Sequence, residues 1–220
     1  KIWPARHLDR KEPESMMALQ SVAVIGAGTM GRGIAQVSAL SGFATRLFDV
    51  DAGILADAIQ QIDQELAVGI ARKKLNEDER ALAMSRLTTV NDLDAAVQKV
   101  DLMIEAVPER MVLKQQIFGQ VSTRVPQHAI LASNTSSLSI SEIAASTPCP
   151  ERVIGMHFFN PAHIVRLLEI VRGRQTSEQV VDTVREIGRL MNRELVVVND
   201  SPGFASSRLG IALGMEAIRM

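Results

Sequence analysis

A short apolar run, Ser21-Val-Ala-Val-Ile25, breaks into Gly26-Ala27-Gly28-Thr29-Met30-Gly31 and then into a stretch with helical periodicity, Thr29–Leu40. That succession leaves the chain few folds. A buried strand feeding a glycine-rich turn that opens a helix is the entry of a nucleotide-binding βαβ unit. Gly26 permits the tight turn. Gly28 removes a side chain where a pyrophosphate must approach the backbone, and Gly31 lets the helix sit close to the sheet. The helix start then offers free N–H groups and the positive end of its dipole to phosphates, so Ala27, Thr29 and Met30 share the cradle with the glycines. Asp49 closes the next strand. A carboxylate there accepts from both ribose hydroxyls and repels a 2′-phosphate, which favours NAD over NADP. On these residues alone the dinucleotide could also be FAD, and the bland alternative is a structural turn with a solvated Asp49.

Beyond the turn, short β-rich runs alternate with amphipathic stretches. The pattern predicts strands at Ala44–Asp49, Leu87–Val90, Asp101–Ala106, Ala129–Ala132, Val153–His157, Val165–Val171 and Glu194–Val198. It predicts helices at Ala52–Lys73, from Asn76, at Arg110–Val121, at Ser177–Met191 and at Phe204–Met220. Strands joined through helices imply crossover connections. The expected fold is therefore α/β, a Rossmann-like doubly wound and mostly parallel sheet. The turn-rich cluster Asn199-Asp200-Ser201-Pro202-Gly203 marks a boundary. Residues 19–201 are expected to form the dinucleotide-binding domain, and 202–220 the first helix of a truncated, all-α C-terminal domain. Residues 1–18, polar and carrying Pro4 and Pro13, read as a disordered or non-native leader.

Composition narrows the function. The 220 residues are 46% hydrophobic and 22% charged, a globular balance. Lys+Arg number 24 against 25 Asp+Glu, for a formal net charge of -1. That evenness argues against general binding to nucleic acid or an anionic membrane. Tyr is absent and the aromatics are six Phe and one Trp, too few for a base-stacking platform. No apolar run approaches a membrane span. Cys149 is the one cysteine, which excludes an internal disulfide and a Cys-rich zinc site. No metal is expected, and a reducing cytoplasm is the simplest compartment.

Three further segments end predicted strands. They are Ile104-Glu-Ala-Val-Pro-Glu109, with Lys114 on the following helix; Ala132-Ser-Asn-Thr-Ser-Ser137; and His157-Phe-Phe-Asn160-Pro161, with Glu169 beyond. Ligands of open α/β sheets bind outside the carboxyl ends of the strands, so all three should face the crevice of the glycine turn. With Val24–Ala35, Leu168-Glu169 and Asp200–Arg208, these stretches resemble the L-3-hydroxyacyl-CoA dehydrogenases, including the short bacterial 3-hydroxybutyryl-CoA dehydrogenases. The resemblance spans nearly all of residues 21–220. It implies NAD as cofactor, a coenzyme A thioester as substrate, and a homodimer formed where the C-terminal helical domain is present. It further implies reversible oxidation of an L-3-hydroxyacyl-CoA, such as 3-hydroxybutyryl-CoA, to the 3-oxoacyl-CoA in fatty-acid β-oxidation or short-chain acyl-CoA metabolism. By the same resemblance His157 is the catalytic base and Glu169 its acidic partner. Ser136 and Asn160 hold substrate and nicotinamide, Glu109 and Lys114 contact the cofactor, and Arg72 with Lys73 lies near the coenzyme A phosphates. Ser207 departs from the pattern, which often has Asn at that position.

The chemistry suits these residue types. Oxidising a secondary alcohol needs a base titrating near neutrality, and histidine is one without much tuning. A carboxylate on its other nitrogen fixes the tautomer. Ser136 and Asn160 can donate to the reacting oxygen. His163 reads as a surface or cleft-edge residue and His128 as structural, while Arg72-Lys73-Lys74 reads equally as a solvated helix end. Ser133 and Ser137 flank Ser136 and compete for its role. Three alternatives accompany the main reading: a relative acting on a non-CoA hydroxy acid, a non-catalytic, crystallin-like NAD-binding protein, and a piece of a multifunctional fatty-acid oxidation protein.

Overall fold

Strand β1 (Ser21–Ile25) is buried from Val22 to Ile25. A strand covered on both faces reads as a continuous apolar run, and such a strand belongs at the centre of a parallel sheet. In the computed structural model, which describes residues 19–220, it does lie inside the sheet. The chain continues through α1 (Thr29–Leu40), β2 (Ala44–Phe48), α2 (Ala52–Ala71), α3 (Glu77–Arg86), β3 (Leu87–Val90), α4 (Leu93–Val97), β4 (Leu102–Glu105), α5 (Met111–Ser122) and β5 (Ile130–Ser133). It then forms α6 (Ile140–Ala144), β6 (Val153–Phe158), β7 (Leu167–Arg172), α7 (Glu178–Leu190), β8 (Glu194–Asn199) and α8 (Ser206–Arg219). The strand order is β3-β2-β1-β4-β5-β6-β7-β8. The order reverses between β1 and β4, the switch point at which doubly wound sheets open a crevice.

All neighbours pair in parallel except β6 and β7. The intervening loop is residues 159–166. A parallel return needs about a dozen residues or more, so this short connection can only double back. The reversal sets His157 directly opposite Glu169 in the β6–β7 ladder. Val165 and Arg166, which the sequence pattern assigned to the strand, stay in the loop; Val165 N–H donates to Pro161 O.

Two apolar layers cover the sheet. One joins Val24, Ile104 and Ile170 to Ile34, Ile62, Leu66 and Val184. The other joins Ile25, Met103 and Leu131 to Phe118, Val121, Ile143 and Phe204. Helix α3 begins with a reciprocal capping box, Asn76 Oδ1 accepting from Glu79 N–H and Glu79 accepting from Asn76 N–H. Helix α2 stops at Ala71, short of the predicted Lys73, because Lys73 turns into the left-handed region at φ 56°. Among the described residues no helix is long and apolar enough to cross a membrane. The leader expected at 1–18 lies outside the described residues.

Phe204 is buried in the second apolar layer although it lies beyond the 201/202 boundary expected from sequence. The segment leading into α8 is thus anchored to the sheet. Farther along, α8 leaves Leu209, Ile211, Leu213, Met215 and Ile218 exposed.

Candidate active site

The glycine turn has the form its sequence demands. Gly26 sits at φ +102°, and a Cβ there would lie 2.9 Å from Ala106 O. A Cβ on Gly31 would lie 1.7 Å from Gly26 O, so only glycine lets α1 start this close to β1. A Cβ on Gly28 would meet nothing within 4 Å. Gly28 therefore faces open space, which suits close approach of a ligand to its backbone. Ala27 N–H donates to Asp49 Oδ2 at 2.9 Å, so Ala27 positions the acid instead of offering its N–H to a phosphate. Gly26, Gly28, Thr29, Met30 and Asp49 line a cleft of about 720 Å³ whose apolar walls include Ile54, Leu93, Val107 and Ile117. The turn, the acid and the apolar wall fit a dinucleotide.

A second cleft of about 330 Å³ adjoins the first and shares Met30, Ala106 and Val107 with it. Glu109, Lys114, Asn134, Ser136, His157, Phe159 and Asn160 line it. The ends of β4, β5 and β6 thus converge on one crevice, as expected from the carboxyl-end rule. Of the three candidate serines, Ser136 lines the cleft. Ser133 is buried with its hydroxyl donating to Glu105 Oε2 at 2.6 Å, and Ser137 is exposed elsewhere.

Beneath the cleft floor is an ionic network that sequence reasoning missed in part. Lys114 Nζ sits 2.7 Å from Glu105 Oε1 and 3.1 Å from Glu109 Oε2. Lys114 and Glu105 are 1% and 0% exposed. Glu105 Oε1 also accepts from Val107 N–H. Glu109 in turn accepts from the Thr135 hydroxyl and from Ser136 N–H. The network therefore runs from β4 to the loop that presents Ser136. Burial pushes the Glu109 carboxyl up, but the Thr135 hydroxyl and the Lys114 ammonium outweigh it, and the carboxyl ends below its ordinary range. Asn134 Oδ1 accepts from Phe158 N–H at 2.9 Å and ties this loop to the end of β6.

His157 and Glu169 face each other across the antiparallel ladder, with Nδ1 and Oε2 2.8 Å apart. They are 7% and 1% exposed. An ionised carboxylate only accepts, so the proton between them belongs to Nδ1 and the neutral ring keeps a lone pair on Nε2. Phe159 lies against the ring at 4.3 Å between centroids, with Phe204 at 6.0 Å. Glu169 is saturated with donors. Oε1 accepts from Ala205 N–H and Ser206 N–H, both at 2.9 Å, and Oε2 accepts from the Ser206 hydroxyl at 2.6 Å. Burial pushes this carboxyl up; Ser206, His157 and the two N–H groups bring it below its ordinary value. The start of α8 thus completes the pair, and the 201/202 boundary cuts through the site. Ser207 reaches the same region, its hydroxyl 3.4 Å from Ser136 O.

Other candidates lie elsewhere. Arg72 and Lys73 are exposed at the end of α2 and line neither cleft. His163 pairs with Glu65 at 3.3 Å, Glu65 also meets Arg32 at 3.5 Å, and His163 lines neither cleft. His128 is held by Asp101 at 2.9 Å at the opposite end of the sheet, where Asp101 also accepts from Ser21 and Gln20. Cys149 is buried and unpaired.

Acid should unfold the protein through these carboxylates. Asp101 and Asp200 also lie below their ordinary values, burial being outweighed at each by a serine side chain and backbone N–H groups. A group depressed on folding contributes stability above its unfolded pKa and loses it as pH falls through its folded pKa. Urea midpoints measured across the range should therefore fall below about pH 4, the unfolded carboxylate value. Midpoints that stayed level or rose below that pH would contradict this arrangement.

Comparison with known proteins identifies the family. Residues 21–201 match the family described as 3-hydroxyacyl-CoA dehydrogenase, NAD binding domain. The chain is 40% identical to a 3-hydroxyadipyl-CoA dehydrogenase of Escherichia coli, over 93% of this chain and 43% of that protein. It is 37% identical to a 3-hydroxybutyryl-CoA dehydrogenase of Bradyrhizobium diazoefficiens, over 91% of this chain and 68% of that one. The crystal structure of the (S)-3-hydroxybutyryl-CoA dehydrogenase of Ralstonia eutropha superposes with a TM-score of 0.86 at 35% identity, covering 89% of this chain and 69% of that chain. Fold, cofactor cleft and sequence agree: the chain belongs to the 3-hydroxyacyl-CoA dehydrogenase family and carries its NAD-binding domain.

Proposed function

We propose that the protein catalyses the reversible NAD-dependent oxidation of an L-3-hydroxyacyl-CoA, such as 3-hydroxybutyryl-CoA, to the 3-oxoacyl-CoA. The observation that carries the reading is His157, tied at Nδ1 to a saturated carboxylate, in a cleft that opens onto the dinucleotide cleft.

In this reading Gly26, Gly28, Thr29 and Met30 hold the pyrophosphate, Gly31 lets α1 start close enough to present them, and Asp49 takes the adenosine ribose. Glu109, Lys114, Ser136 and Asn160 flank the nicotinamide side. When bound, NAD+ supplies the hydride acceptor. His157 Nε2 takes the hydroxyl proton, and Glu169 compensates the imidazolium that forms. Ser136 and Asn160 donate hydrogen bonds to the oxygen as charge develops on it. In reverse, the imidazolium gives its proton to the ketone oxygen. Phe159 and Phe204 shield the ring from water, which strengthens each of these interactions. Arg72 and Lys73 are assigned to the coenzyme A phosphates, where exposed cations suit a ligand reaching out of the cleft.

The catalytic unit extends through Ser206, because Glu169 depends on α8. The exposed apolar residues of α8 support a homodimer built with a helical C-terminal domain, and the single buried Cys149 suits a reducing cytoplasm. The test is oxidation of NADH by this chain with acetoacetyl-CoA, followed by absorbance. Turnover that is lost with free acetoacetate is expected. Equal turnover of free acid and thioester would replace the coenzyme A reading with that of a hydroxy-acid dehydrogenase.

A further inference from the structure

Glu169 Oε2 receives two donors, Nδ1 of His157 at 2.8 Å and the hydroxyl of Ser206 at 2.6 Å. This is the oxygen whose charge the imidazolium meets. Oε1 is occupied by two backbone N–H groups. Four donors fill the roughly four acceptor positions of a carboxylate. Three of the four come from two consecutive residues at the start of α8, and Ser206 Oγ is the side chain among those three.

We propose that Ser206 is a positioning residue for the base: its hydroxyl holds the oxygen that His157 uses, and so fixes the imidazole's direction and moderates the negative charge it meets. The proposal rests on the reading of His157 as the base. A neutral hydroxyl at 2.6 Å draws charge from Oε2 without supplying a competing ion. It stabilises the carboxylate and weakens its pull on a proton at Nδ1. The other ionisable groups on the cleft wall, Glu109 and Lys114, are paired with each other at 3.1 Å. The aromatic neighbours of the ring, Phe159 and Phe204, do not titrate. Ser206 is therefore the uncharged side chain set to adjust the pair. Ser206 is the first residue of α8, after an Ala205 N-cap whose side chain makes no capping hydrogen bond, and its own hydroxyl goes to Glu169.

The experiment compares Ser206→Val with Ser206→Thr, side chains of nearly equal shape that differ in the hydroxyl. The readout is the pH titration of the His157 ring nitrogens by 15N NMR on the full chain, beside the pH profile of kcat. In Ser206→Val the titration midpoint should rise by about half a pH unit or more, a fraction of the roughly one to two units that a whole hydrogen bond to a charged group represents. The acid limb of kcat for alcohol oxidation should move up with it while KM for NAD stays level. Ser206→Thr should restore both. Equal midpoints in Val, Thr and parent would overturn the proposal. The NMR titration needs no substrate, so the two readings fail separately. A shifted midpoint in a chain inactive on the thioester removes the coenzyme A substrate alone; an unshifted midpoint in an active chain removes the role of Ser206 alone.

Discussion

His157→Ala is expected to lower turnover by about 10²–10⁴-fold, the usual contribution of a positioned acid–base group. NADH binding should stay within about twofold. The two parts of the expectation have different sources. The imidazole projects into the smaller cleft, whereas the glycine turn and Asp49 line the larger one, so the substitution removes the proton acceptor without touching the cradle. The Glu169 carboxylate keeps three donors from Ala205 and Ser206 after the ring is gone, so the fold is not left with a bare buried charge. Single-turnover rates and NADH titration on the same preparation separate the effects. Loss of NADH binding in parallel with turnover would make His157 a structural residue and remove it from the chemistry.

Lys114→Met should cost about 3–5 kcal/mol of stability, the loss seen when one partner of a buried ion pair is removed. Lys114 and Glu105 are both essentially inaccessible, so solvent cannot screen or rehydrate the carboxylate that remains. For a domain of this size the loss corresponds to a fall in Tm on the order of 10 °C. Adding Glu105→Gln to the same chain should recover much of it, because an amide can stay with the Ser133 hydroxyl and carries no charge. Thermal unfolding of the single and double variants decides the matter. A Lys114→Met protein within about 1 kcal/mol of the parent would show that the network under the cleft is hydrated and not a buried pair.

The parts of the fold written in local periodicity could be read from the sequence. The run Ser21–Ile25, the glycines and the periodic Thr29–Leu40 lie side by side in the chain and map onto β1, the turn and α1. Helices α4 and α6 were not foreseen, because five residues are too few to show a period, although Asp92 and Ser139 cap them with the expected side chains. The direction of β7 was not visible either, since alternation records which side chains are buried and not which way a strand runs; only the short loop 159–166 hinted at it. His157, Glu169, Ser136 and Asn160 were legible through the family resemblance, with the ends of the strands as the physical reason they meet. Glu105 was hidden inside an otherwise apolar strand, where a carboxylate is paired with a lysine from the next helix. Ser206 was hidden by distance along the chain, because its partner is on β7 and nothing local distinguishes it from Ser207.

The doubling back at β6–β7 separates two jobs that many enzymes load onto one loop. His157 and Glu169 are held by a strand ladder, in which backbone hydrogen bonds fix the register. Residues 159–166, which carry Phe159 and Asn160 into the cleft, are a connection between strands already paired. Lengthening such a connection adds only a slowly growing closure entropy, of about 0.6 kcal/mol for each doubling. The loop is therefore a place where the pocket can be recut while His157 and Glu169 stay in register. A redesign of substrate range should start there and leave the hairpin strands alone.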